Sequence, residues 1–146
     1  MRDYFKHISS IVGGDRGTVE QFVSKRVRGG VQFTQAANSY FQGLAADGAK
    51  AALFEVSRRC YTSPESALFG SRPIMFIHDE IIMESPFDKA PEAAEELAAV
   101  MKTTMARYTP DIPIKTTVAL MGRWYKNAEA VRDERGRLTA WRPDDG

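Results

Sequence analysis

The stretch PIMFIHDEIIME, Pro73 to Glu84, sets the strongest limit on how this chain can fold. Two short apolar runs rich in Ile flank His78, Asp79 and Glu80. Short runs of this kind read as buried strands. Three adjacent ionisable side chains between them are expensive to bury unless they occupy a surface turn or perform chemistry. The pattern predicts a hairpin that displays HDE at one end of a sheet. Adjacent strand residues point to opposite faces, so Asp79 and Glu80 aim at one point only if the turn bends them together. A plain solvated turn favours Gly, Asn, Asp or Ser, and this one has no Gly.

The bulk properties bound the rest. A chain of 146 residues has the size of about one domain and enough length for a core. The formal net charge of +1 announces no global attraction to nucleic acid, which leaves only a local basic patch. Cys60 is the single cysteine, which excludes an internal disulfide and fits a reducing compartment. No apolar run approaches the ~20 residues of a membrane span. The N-terminal MRDYFKHISSIVGGDRG lacks the apolar core of a signal peptide. These features predict a cytoplasmic protein with no membrane partner.

Residues 3–12 fit a short amphipathic helix ended by Gly13 and Gly14. TVEQFVSKRVRGG suits either a strand or a short helix, and it carries a basic cluster of Lys25, Arg26 and Arg28. From Gln32 to Cys60 the pattern is helical: Phe33, Ala37, Phe41, Leu44, Gly48, Ala52, Val56 and Cys60 recur at steps of three and four. YTSPESALFGSRP reads as a loop. Residues 90–108 predict a second helix, with Pro91 in its first turn, Glu92, Glu95 and Glu96 near its positive end, and Lys102 and Arg107 near its negative end. IKTTVALM reads as a strand, GRWYKNAEAV as the start of a short helix, and the tail RDERGRLTAWRPDDG as a frayed end or a loose hairpin.

The long helix has an unusual interior. Gly43 and Gly48 each cost roughly 1 kcal/mol relative to Ala there, and the many alanines keep its surface thin. Small residues admit another body, either a packing helix or a nucleic acid. Asn38 and Gln42 are four apart and share one face. Amides at that spacing present donors and acceptors to base edges.

Carboxylates displayed at a turn suit a hard divalent cation such as Mg²⁺, which takes one or two carboxylates plus substrate phosphates. A His-Asp metal phosphohydrolase would need further His ligands, and only His7 remains. Taken together, the motifs resemble family A DNA polymerases. HDE between two apolar strands resembles motif C of that family. NSYFQGLAADGAK, Asn38 to Lys50, is similar to the helix that precedes motif C there. PIKTTVALMGRWYKNAEA is similar to the closing strand and the Gly- and Trp-containing end of the family. The resemblance spans residues 25–131, in the family's order and spacing.

The resemblance implies roles. Asp79 matches the palm aspartate that binds the catalytic metal ions, Glu80 the auxiliary acid, and His78 the histidine against the primer end. Asn38 and Gln42 match helix residues that contact the primer–template in the minor groove. Thr34 stands where the family often has an Arg, so that DNA contact is either missing or supplied by the cluster Lys25, Arg26 and Arg28. The motif A aspartate and the fingers helix that binds the incoming dNTP are not found in the sequence. The implied fold is α+β: a partial palm with the motif C hairpin in an antiparallel sheet, a long preceding helix and a second packing helix. The expected organisation is an N-terminal helix and basic linker (1–31), a palm segment (32–131) and a polar tail (132–146). Because the chain opens on Met, the expectation is the C-terminal subunit of a split, phage-type DNA polymerase. Its Mg²⁺ site would be completed by a larger chain carrying motif A, fingers and thumb. A non-catalytic DNA-binding or scaffold remnant, and an independent metal-dependent phosphohydrolase, are the competing readings.

Overall fold

The structure is a computed structural model that describes residues 2–143. It is α+β. Helix α1 (Arg2–Val12) buries Ile8 and Val12 and ends at Gly13 and Gly14, both at positive φ, where a residue with a Cβ would be strained. The ambiguous segment after it resolves as strands. Gly17–Glu20 (β1) and Val27–Val31 (β2) pair antiparallel, burying Val19 and Val31.

Helix α2 (Phe33–Thr62) is the spine, 30 residues or about 45 Å long. Its buried residues change sides halfway. In the first half Ala36, Ser39, Tyr40 and Asp47 are buried; in the second, Gly48, Ala52, Val56 and Cys60. At about 100° per residue these two sets face roughly opposite directions. Two separate cores result. One gathers Ile8, Val12, Val19, Val31, Ala36 and Tyr40 under α1 and the β1–β2 hairpin. The other gathers Val56, Cys60, Leu68, Ile81, Ala93, Leu97 and Val100. The single apolar stripe expected along the helix therefore holds only from Gly48 onward. Phe33 and Phe41, expected to be inward, are 39% and 67% exposed. The first core instead takes the opposite flank, where Ser39 and Asp47 are buried because side chains of the neighbouring hairpin hydrogen-bond to them. The two helix glycines serve packing within the chain. A Cβ at Gly43 would collide with the Gln21 side chain, and one at Gly48 with Met105.

The second core is built from the loop after α2, strands β3 (Arg72–Ile77) and β4 (Glu80–Glu84), and α3 (Ala90–Ala106). Polar bonds join these parts. Glu96 of α3 accepts hydrogen bonds from Arg59 Nη1, Ser66 Oγ and the Ala67 backbone N–H, each at 2.7 Å. Glu55 accepts from Arg58 and Arg59 at 2.8–2.9 Å. Those arginine hydrogen bonds hold the Glu55 carboxyl down at about 2. Burial pushes Glu96 up, but the bonds from Ser66, Arg59 and Ala67 outweigh it and the net shift is downward. Groups with depressed pKa stabilise the fold above their unfolded value and lose that contribution as pH falls through the folded one. Stability should therefore drop as pH falls from the ordinary glutamate range near 4.5 towards about 2. Glu96→Gln should cost on the order of 1–3 kcal/mol at neutral pH and flatten the acid-side slope. Urea unfolding at neutral pH and about pH 3 checks both, and an unchanged slope would remove Glu96 from this role.

Two expectations fail toward the C-terminus. The strand expected over 114–121 forms only at Leu120–Met121 (β5). A strand needs a neighbour for its backbone groups, and among the described residues only β7 (Leu138–Trp141) supplies one, in parallel. Before it, Thr116 Oγ1 donates to Ala98 O of α3 at 3.3 Å. No helix forms over GRWYKNAEAV, a segment too short to nucleate one unaided. Tyr125 instead stacks on Trp141 at a centroid distance of 5.0 Å. The tail is a hairpin of β6 (Val131–Arg132) and β7, docked on α3 through Arg132–Glu95 (2.6 Å) and Arg137–Glu92 (3.0 Å), with Leu138 buried. Residues 144–146 of that tail lie outside the described residues. Among the described residues no helix is long and apolar enough to cross a membrane.

Candidate functional site

The β3–β4 hairpin closes with Ile77 opposite Glu80, so His78 and Asp79 form a two-residue turn. Such tight turns need positive φ at a central position, usually from Gly. Here His78 takes it, at φ +53. Histidine visits this region more readily than most residues, yet it remains uncommon. Local strain of this order, ~1–3 kcal/mol, persists where the surroundings impose it.

The register sorts the hairpin's faces. Phe76 and Ile81 are paired, and both pack into the second core. Alternation turns the flanking pairs the other way: Ile77 with Glu80, and Met75 with Ile82. Met75 and Ile77 are 50% and 37% exposed, so this outer face is apolar and uncovered among the described residues. His78, Asp79 and Glu80 are all exposed. Asp79 stands in the turn and Glu80 opens the strand, a neighbouring pair of oxygen donors at the hairpin tip. Their chemistry fits a hard divalent cation. Among the described residues, no three His, Cys, Asp or Glu side chains gather into a metal cage. A two-ion site therefore needs carboxylates from outside this hairpin.

Asn38 and Gln42 are exposed on α2, and no hydrogen bond ties them to the hairpin tip among the described residues. Their direction is informative. Val56 follows Asn38, and Cys60 follows Gln42, by 18 residues, about five turns. The two amides thus look out on the side of α2 where, further along, the hairpin and α3 are packed. The first half of the helix leaves that side open.

The basic cluster divides. Arg26 Nε donates to the buried Asp47 carboxylate at 2.9 Å, and the Ser24 hydroxyl donates to the same carboxylate. Arg28 Nη1 donates to Ser39 Oγ at 3.0 Å. Lys25, at the turn with φ +59, pairs with the exposed Glu20 at 3.4 Å. Arg26 is therefore neutralised within the chain, whereas Lys25 remains open to solvent. Ser39 and Asp47 escaped the sequence reading. Their signal was the spacing Ser39, Gly43, Asp47, one face of small and polar residues opposite the apolar stripe.

Comparison with known proteins gives three matches of interest and one family. The model of the family described as DNA polymerase family A matches residues 7–126. DNA polymerase I of Borreliella burgdorferi is 28% identical over 123 residues, 84% of this chain and 11% of that protein. DNA polymerase I of Helicobacter pylori is 29% identical over 90 residues, 62% of this chain and 9% of that protein. DNA polymerase theta of Drosophila melanogaster is 31% identical over 93 residues, 62% of this chain and 4% of that protein. The chain thus spans about a tenth or less of the length of these curated relatives. No solved structure matches.

Proposed function

The chain belongs to DNA polymerase family A, and from that premise we propose that it is the C-terminal, palm-forming subunit of a split DNA-directed DNA polymerase. One observation carries the reading. An HDE turn stands exposed at the tip of an apolar hairpin, beside a helix whose open side presents Asn38 and Gln42. The palm segment is residues 32–131, and the flanking helix with its basic hairpin and the docked tail support it.

Asp79 and Glu80 would hold Mg²⁺, together with carboxylates from the larger chain. Mg²⁺ bound there supplies charge stabilisation for phosphoryl transfer to the primer end. Asp79 is the main donor, since the turn carries it at the apex. Glu80 shares the outer strand face with Ile77 and acts as the auxiliary acid. His78 lies against the primer end. The positive φ of its backbone puts the imidazole and the Asp79 carboxylate on one tight turn, so placing one places the other. Asn38 and Gln42 bind the primer–template by minor-groove acceptors that every correct base pair shares, which checks pair shape without reading sequence. Lys25 and Arg28 reach DNA phosphates, and Arg26 braces their hairpin through Asp47. The dNTP is bound by the fingers of the larger chain.

That larger chain carries motif A, fingers and thumb. It completes the palm sheet at the free edges of β3 and β4 and covers the outer face of Met75 and Ile77, because two strands alone leave edges and an apolar face unsatisfied. Tagging this chain in its native host and identifying what co-purifies tests the reading. A chain bearing the motif A aspartate and a fingers helix is the expected companion. Repeated purification without one would favour the non-catalytic remnant of the fold.

A further inference from the structure

We infer that the aromatic surface along the α1–α2 seam is a stacking platform for unpaired bases of a single nucleic-acid strand. Four rings run in a chain. Phe33 stacks on Phe5 at 6.1 Å, Phe5 meets Tyr4 at 5.6 Å, and Tyr4 meets Phe41 at 5.3 Å. The Tyr4 hydroxyl donates to the Ala37 carbonyl, which locks the middle of the row to α2. Three of the rings are open to solvent: Phe5 at 44%, Phe33 at 39% and Phe41 at 67%. Phe5, Phe33 and Phe41 stand outside the first core, which gathers Ile8, Val12, Ala36 and Tyr40 with Tyr4 packed against it.

The chemistry of this face differs from that of the exposed outer face of the β3–β4 hairpin. The outer hairpin face is aliphatic, with Met75 and Ile77, and suits packing against a protein. The exposed surface of the seam is aromatic, and its α1 half, Tyr4 and Phe5, lies in the basic part of the chain. Residues 1–31 hold six Lys and Arg against three Asp and Glu, whereas residues 32–146 hold fourteen against sixteen. Exposed Arg2 stands one turn before Phe5. Exposed rings beside positive charge are what single strands bind: every base offers a π-face, and the phosphates follow the charge. A duplex hides those faces in its own stack, so unpaired bases are the fitting occupant. Phe41 follows Asn38 by three positions, so the platform adjoins the helix side that carries the amides.

This inference rests on the polymerase reading only for the source of the strand, an unpaired stretch beside the primer–template. The test is fluorescence anisotropy with the full chain, using labelled oligo(dT) of about twelve nucleotides and a duplex of the same length. Phe41→Ala should weaken oligo(dT) binding about tenfold, leave its salt dependence unchanged because no phosphate contact is lost, and leave the duplex affinity unaltered. Phe41→Trp should retain binding. Far-UV circular dichroism matching the unsubstituted chain confirms the fold, as expected for a ring so exposed. Equal oligo(dT) affinity for Phe41→Ala overturns the platform while the polymerase reading stands. So does a variant that binds oligo(dT) normally but no longer retains its co-purifying chain, which would make the seam a protein interface. Loss of the polymerase reading would show separately, as an assembled enzyme that extends no primer whatever residue stands at 41.

Discussion

Asp79→Asn should abolish most primer extension while leaving DNA binding intact. The change nearly preserves shape and removes the charge. Asp79 is exposed at the turn, so its loss disturbs no packing, and the fold should keep its stability. DNA affinity should survive or rise slightly, because phosphate contacts come mainly from basic residues and backbone N–H groups. Mg²⁺ affinity should fall, because the ion requires anionic oxygen donors. The chemical step should suffer most, since charge at the transferred phosphoryl group develops in the transition state. A loss of several kcal/mol there is a rate drop on the order of a thousandfold or more. Glu80→Gln should cost less, because strand register pairs Glu80 with Ile77 on the outer face, one residue away from the apex. Single-turnover extension by the assembled enzyme, with DNA affinity measured in parallel, separates the two acids. Near-normal rates for Asp79→Asn, or a larger loss for Glu80→Gln, would reverse the roles assigned within HDE.

The chain alone should extend no primer in Mg²⁺, and extension should appear when the larger chain is added. Two ions about 3.5–4 Å apart need carboxylates from more than one strand to bridge them. This chain brings one acidic turn to the tip of one hairpin. Positioning a triphosphate for in-line attack also needs cationic groups aimed at its phosphates. Arg58 and Arg59 pair with Glu55, Arg72 pairs with Glu84, and Arg26 pairs with Asp47. The contrast between the chain alone and the assembled enzyme is therefore one between background and full turnover. Extension by the rigorously purified single chain would sink the split-enzyme reading. Normal extension by a larger chain that lacks this subunit would sink it equally.

Much of the fold was legible because local rules and tertiary packing agreed. The HDE hairpin followed from two short Ile-rich runs around a polar triplet, and the pairing of Ile77 with Glu80 realises it. The ends of α1 and α3 followed from Gly13, Gly14 and Pro91. The resemblance to family A polymerases rested on segments that keep their own shape, a helix and a hairpin, and the family match over residues 7–126 agrees with it.

What the sequence alone determined is local: a long helix from Phe33, a turn displaying His78, Asp79 and Glu80, a second helix starting near Pro91, and amides at 38 and 42 on one helical face. Periodicity measures only the spacing of apolar side chains, and spacing suffices when one neighbour covers one face. Tertiary structure decided the rest. α2 has different neighbours on opposite sides of its two halves, so a single stripe misplaced Phe33 and Phe41 and overlooked Ser39 and Asp47. A buried carboxylate is tolerable only when a partner such as Arg26 reaches it, and that partner stands 21 residues away in sequence. The strand read at 114–121 shrank to Leu120–Met121 for a related reason. A strand exists only where another strand completes its hydrogen bonds, and which segment does so is a property of the assembled fold.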